Sequence, residues 1–133
     1  MRPITGITIL GFRLGVIALV GYWITLFLGT HWPAGAEIVP DVSDKVKHFS
    51  AFFGLALLCC YVSESPRSDH AATVRRFGMI VVGLMIYAVI DELTQFFSPG
   101  RHPDPLDALA DTGGIVSAVI LYLIARRWIR HRI

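Results

Sequence analysis

The stretch Asp91-Glu-Leu-Thr-Gln-Phe-Phe-Ser-Pro-Gly-Arg-His-Pro-Asp-Pro-Leu-Asp-Ala-Leu-Ala-Asp111 gathers carboxylates, an arginine, a histidine and a glutamine between two apolar runs. A second polar cluster, Asp44-Lys-Val-Lys-His48, opens a third apolar run. Paired carboxylates in a water-poor site divide into one acid and one base, which suits general acid–base work. Glu92, His48 and Asp107 are the candidates for that role. Lys45, His48 and Arg101 are the candidates for holding a phosphate or carboxylate. Asp44, Asp91, Glu92, Gln95, Asp107 and Asp111 would form the polar network that supports those cations. Acids beside a histidine could instead hold a divalent metal for phosphoryl transfer. No metal-ligand motif occurs, so no metal ligand is assigned and no cofactor is identified. HExxH and GxSxG patterns and a Gly-rich phosphate loop are also absent.

Each residue also has a plainer reading. Carboxylates in the first turn of a helix meet its dipole favourably, which would account for Asp44, Asp104 and Asp107. Lys47 reads as a snorkelling interfacial charge and Arg101 as a headgroup anchor. The adjacent acids Asp91 and Glu92 resist such a reading, because they fall inside an apolar segment. There a carboxylate is costly unless it meets a partner or a polar cavity.

The elements that position these residues follow from composition. The chain has 133 residues, of which 54% are hydrophobic and 17% charged. Its mean hydropathy is +0.60. Such a chain has too little polar surface for a soluble domain of this size and reads as a single all-α transmembrane domain over 1–133. A spanning helix needs roughly 20 apolar residues. Four segments qualify, at about 8–29, 44–63, 77–97 and 105–128. Pro99-Gly100 turns the chain between the last two, with Asp104 as N-cap, Pro105 at N1 and Asp107 at N3 of the fourth. On helices, Asp44 and His48 share a face, as do Asp104, Asp107 and Asp111, and Gln95 projects between Asp91 and Glu92. Gly114 and Ala118 continue the aspartate face as a small-residue surface suited to close helix contact. The vicinal Cys59-Cys60 reads as packing.

Arg2 and the sequence Ala34-Gly-Ala36 resemble a secretion signal, but the intervening apolar run is too long, and Tyr22, Trp23 and Trp32 suit a retained interfacial anchor. Arg2, Arg67, Arg75, Arg76, Arg126, Arg127, Arg130 and Arg132 flank one side of the helices, against Lys45, Lys47 and Arg101 on the other. The positive-inside rule then places both termini in the cytoplasm and the polar layer of helices two to four at the extracytoplasmic end. A multi-pass protein of the cytoplasmic membrane is expected, with membrane lipids as partners and a homo-oligomer left open. The net charge of +2, with no nucleic-acid motif, points away from a nucleic-acid partner.

These residues resemble the VanZ-like family of small bacterial membrane proteins. The likeness rests on Asp44-Lys-x-x-His48, followed by Phe49-Ser-Ala-Phe-Phe-Gly54, and on Asp91-Glu-x-x-Gln95-x-x-x-Pro-Gly-Arg101, followed by Asp107-x-x-x-Asp111-x-x-Gly114. It covers about 44–125 and marks Lys45, His48, Glu92, Gln95, Arg101, Asp107 and Asp111 as motif positions. The resemblance implies a cell-envelope protein and a link to resistance against teicoplanin-type glycopeptide antibiotics. The reading that follows is an outward polar site for an anionic lipid or envelope headgroup, or for an antibiotic that targets one. Two rivals stand beside it: an enzyme acting on a lipid-linked phosphate or glycan, and a polar layer that only locks the helices together. Transport is disfavoured, since the inner half of the four segments offers no polar path.

Overall fold

The computed structural model describes residues 8–9, 12–34, 41–65 and 69–130, with backbone alone at Thr8, Ile9, Phe12 and Arg130. Arg2, Arg67 and Arg132, used above for orientation, lie outside the described residues, as do Gly35 and Ala36. Among the described residues four helices form: α1 (Leu14–Thr30), α2 (Asp44–Ser63), α3 (His70–Thr94) and α4 (Pro105–Arg130). A short 3-10 turn, Gln95–Phe97, prolongs α3. Asp44–Ser63, His70–Phe97 and Pro105–Ile129 are long and apolar enough to cross a membrane.

Two helix starts differ from expectation. Helix α1 begins at Leu14, not near residue 8, and is preceded by a minimal antiparallel pairing of Thr8–Ile9 with Phe12–Arg13. The β-branched run Ile7-Thr8-Ile9 and Gly11 favour extended backbone over helix. At 17 residues, α1 is about 26 Å long, somewhat short of a hydrocarbon core. Helix α3 begins at His70, a full polar turn before its apolar stretch, because Asp69 caps it by accepting from the Ala72 amide at 2.6 Å. Hydropathy marks where a helix becomes apolar and is blind to where it begins.

The helices alternate in direction, so the end of α1, the start of α2, the end of α3 and the start of α4 meet at one end of the bundle. Helices α2 and α4 therefore run parallel, and theirs is the most extensive contact in the fold. Their register is shown at both ends. Lys45 meets Asp107 and His48 meets Asp111 at one end, while Glu64 meets Arg126 at the other. Between them, Gly114 presses against α2, where a Cβ would run into the Phe49 carbonyl oxygen and lie 3.0 Å from the Phe53 nitrogen. Phe52, Leu55, Ala56, Leu84, Ala88, Ile115, Ala118 and Leu26 fill the core between the four helices. The outer faces stay apolar, with Met79, Ile86 and Leu93 on α3 and Leu109, Ile120 and Ile124 on α4 exposed. Such surface is costly in water and natural in lipid.

Candidate functional site

The polar end is built from four helix termini and one turn. Arg101 donates its amide to the Ser98 carbonyl at 3.1 Å, closing a turn with Pro99 at its second position and Gly100 at its third. Gly100 has φ +74°, the left-handed conformation that such a turn requires. The turn is tied to the loop after α1 by the Ala34 amide on the Pro99 carbonyl (3.2 Å) and by Arg101 Nε on the Trp32 carbonyl (3.1 Å). It delivers Asp104 to the start of α4, where its carboxylate accepts from the Leu106 amide at 2.9 Å. That bond, together with Lys45, holds the Asp104 carboxyl below the usual range.

Two kinds of pairing follow inside the layer. Lys45 Nζ donates to Asp104 Oδ2 (2.9 Å) and to Asp107 Oδ1 (3.0 Å), clamping the first turn of α2 to that of α4. Glu92, from α3, accepts from the Asp104 amide at 2.6 Å and from Gln95 Nε2 at 3.0 Å. It thereby anchors the end of α3 to the start of α4. Deeper still, His48 Nδ1 and Asp111 Oδ1 lie 3.0 Å apart, and both residues are buried. His48, Glu92 and Asp111 each offer a ligand atom within 4.8 Å of the others. The positive ends of the α2 and α4 dipoles both point into this layer and favour its negative charge.

Asp91 departs from that cluster. Adjacent residues project about 100° apart on a helix, so Asp91 turns toward α1 while Glu92 turns toward α4. Its Oδ1 accepts from Tyr87 at 3.1 Å and lies 3.9 Å from His31 Nδ1. His31, at the end of α1, also meets Thr94 at 3.0 Å. Helix α1 thus reaches the layer through Thr30 and His31, which composition did not flag. Arg13, at the other end of α1, is about 26 Å away.

The second feature is a cleft of about 330 Å³ between α1 and α2. Tyr22, Leu26 and Ala51 line its apolar body, and Asp44, Lys47, His48 and Arg101 its polar mouth. Lys47 Nζ binds Asp44 Oδ1 at 3.2 Å, and Arg101 Nη1 lies 3.8 Å from Asp44 Oδ2, so two cations share one carboxylate. Tyr22 donates its hydroxyl to the Ala51 carbonyl at 2.9 Å. Of the three residues singled out for anion binding, Arg101 and His48 line this cleft, while Lys45 faces the acids of α4. Lys47 is the lysine at the mouth, and its i,i+3 relation to Asp44 was the available signal. Of the acid–base candidates, only His48 lines the cleft. Its Nδ1 is held by Asp111, and its Nε2 has no partner among the described residues.

A third polar group lies at the opposite end. Glu64 accepts from Arg126 Nε at 2.9 and 3.1 Å and from the Tyr122 hydroxyl at 3.2 Å, closing the far end of the α2–α4 pair. The two cysteines are free thiols, Cys60 in the core and Cys59 half-buried.

No curated protein and no solved structure matches the chain. A family model, VanZ/LLP1, matches residues 16–126. That match runs from the first turn of α1 to the last turns of α4 and encloses every residue of the polar layer, and this membrane protein therefore belongs to the VanZ/LLP1 family.

Proposed function

We propose that this protein binds an anionic amphiphile of the cell envelope, a lipid or lipid-linked headgroup, in the cleft between α1 and α2. The observation that carries this reading is the cleft itself, apolar along its body and ringed at the mouth by Lys47, Arg101, Asp44 and His48. Lys47 and Arg101 both meet Asp44 at this rim, and Arg101 has the fork geometry that suits phosphate and carboxylate. An acyl or isoprenoid tail would lie along Leu26 and Ala51. Lys45, Asp104, Asp107, Glu92 and Gln95 brace the mouth by pairing with one another. Arg75, Arg76, Arg126 and Arg127 at the other end support a mouth on the extracytoplasmic side of the cytoplasmic membrane, with both termini inside. An effect on sensitivity to teicoplanin-type antibiotics would follow from occupying a headgroup that such drugs target.

The test is lipid retention. The full chain, purified in detergent, is mixed with phosphatidylglycerol or phosphatidylcholine and the bound lipid is read by native mass spectrometry. The wild type should prefer the anionic lipid, and Arg101→Ala should weaken that preference by about fivefold, the worth of one cation near a lipid surface. Equal retention of both lipids by the folded wild type, or an unchanged preference in Arg101→Ala, sinks the reading.

The His48–Asp111 pair favours a second reading, catalysis on the same ligand. A carboxylate on Nδ1 fixes the tautomer that leaves Nε2 as a base toward the cleft. Turnover of a lipid-linked phosphate that is lost in His48→Gln while lipid retention persists would establish it; retention without turnover would leave binding alone.

A further inference from the structure

Glu92 and Asp111 are buried carboxylates from two different helices, and neither has a lysine or arginine at ion-pair distance among the described residues. Lys45 is already paired with Asp104 and Asp107. The groups that meet Glu92 and Asp111 are the Gln95 amide, the Asp104 backbone N–H and the His48 ring. One carboxylate oxygen, Asp111 Oδ2, has no hydrogen-bond partner among the described residues, although Asp111 is 0% exposed. An unpartnered buried carboxylate oxygen is costly in any protein, and more so at membrane depth. Something that accepts electron pairs from Asp111 and carries positive charge would relieve both deficits.

We propose that His48, Glu92 and Asp111 hold a single divalent transition-metal ion, of the zinc or manganese class, where α2, α3 and α4 meet. The three donor atoms lie within 4.8 Å of one another and all three residues are buried. Metal–ligand bonds of about 2.1 Å place donors at most about 4.2 Å apart, so the ring closes with side-chain shifts below about 1 Å. One imidazole and two carboxylates form a mixed nitrogen–oxygen set. That set suits zinc, manganese or iron(II) and lacks the thiolates that select softer ions. Cys59 and Cys60 sit about three turns further along α2, out of reach. The outer shell already exists: Gln95 and the Asp104 amide orient Glu92 as metal-bound carboxylates are commonly oriented. Three protein ligands leave a coordination position free. The metal site does not depend on the lipid reading, since the ion is titrated with no lipid ligand added.

The full chain in detergent is stripped with a chelator, titrated separately with Zn2+ and Mn2+, desalted, and its metal content measured by mass spectrometry. One ion per chain is expected. Glu92→Gln, which keeps shape and an acceptor for the Asp104 amide, should lower affinity by about tenfold or more, as should Asp111→Asn. His70→Ala, which removes a histidine from the opposite end of α3, should leave binding unchanged. Co2+ loaded into the wild type should show visible d–d bands of nitrogen–oxygen coordination, a readout independent of whether any variant folds. Failure of the folded wild type to retain metal, absence of the Co2+ bands, or retention equal in Glu92→Gln, Asp111→Asn and wild type each overturns the proposal. In the first two cases a proton, and not an ion, neutralises the cluster.

Discussion

Gly114→Ala is the sharpest probe of how the site is assembled. The added methyl would strike the Phe49 carbonyl oxygen and stand 3.0 Å from the Phe53 nitrogen and 3.1 Å from the Phe49 carbonyl carbon. Carbon seldom approaches a carbonyl oxygen closer than about 3.3 Å, so α2 and α4 must separate by about 1 Å. The obstacle is helix backbone, which no rotamer change can move aside. The cost should therefore fall near the upper end of the overpacking range, about 3 kcal/mol. Alanine recovers about 1 kcal/mol over glycine in helix propensity, leaving a net loss of about 2 kcal/mol. For a chain of this size that is a fall in Tm of about 8 °C. Thermal unfolding in detergent, followed by labelling of the buried thiol of Cys60, reads it directly. Gly83 is the internal control, with nothing within 4 Å of the point an added methyl would occupy, so Gly83→Ala should hold or raise Tm. A Gly114→Ala protein melting within about 1 °C of the wild type would refute the close parallel contact. It would also remove the reason for the His48–Asp111 distance of 3.0 Å, which lies one turn away on the same seam.

Two further outcomes follow from the same geometry. Gly54→Ala would drive a methyl into the Tyr22 hydroxyl and within 2.8 Å of its ring carbon Cζ, displacing the ring and its bond to the Ala51 carbonyl. Loss of that hydrogen bond and of ring packing should cost about 1–3 kcal/mol and reduce lipid retention in the α1–α2 cleft; unchanged retention would show that Tyr22 does not shape it. Asp104 yields a pH dependence: its folded pKa is depressed, so its contribution is present above the ordinary carboxyl range and is lost as pH falls through the folded value. Tm measured from pH 6 down to pH 3 should fall less steeply in Asp104→Asn, which keeps the N-cap acceptor but not the charge facing Lys45, and superimposable profiles would show that the charge contributes nothing.

Much of the layer could be read from sequence because polar residues in an apolar chain have few places to go. Asp44, Lys45, His48, Glu92, Gln95, Asp104, Asp107 and Asp111 could be assigned to one end of the bundle from hydropathy and helical spacing alone. Their individual partners could not. Asp91 and Glu92 look equivalent in sequence, yet one faces His31 and Tyr87 and the other the start of α4. The contribution of helix α1, Thr30 and His31, carries no sequence signal because it lies in its last turn and the residue after it, where polar residues are commonplace.

The lysines show why the rest was hidden. Lys45 and Lys47 are two positions apart, so they project about 200° apart around α2 and cannot both face the same neighbour. Which one meets the acids of α4 and which one the cleft depends on the rotation of α2 about its axis. In a soluble helix an apolar stripe would fix that rotation, but a membrane helix is apolar toward lipid and protein alike. Here the rotation is set where α2 exposes the Phe49–Phe53 backbone to Gly114, a contact made by the absence of a side chain. That contact turns Lys45 onto Asp104 and Asp107, His48 onto Asp111, and Lys47 toward α1. The glycine and the motif residues around it therefore act as one unit: the charged residues supply the polar groups, and Gly114 decides which of them faces α4 and which the α1–α2 cleft.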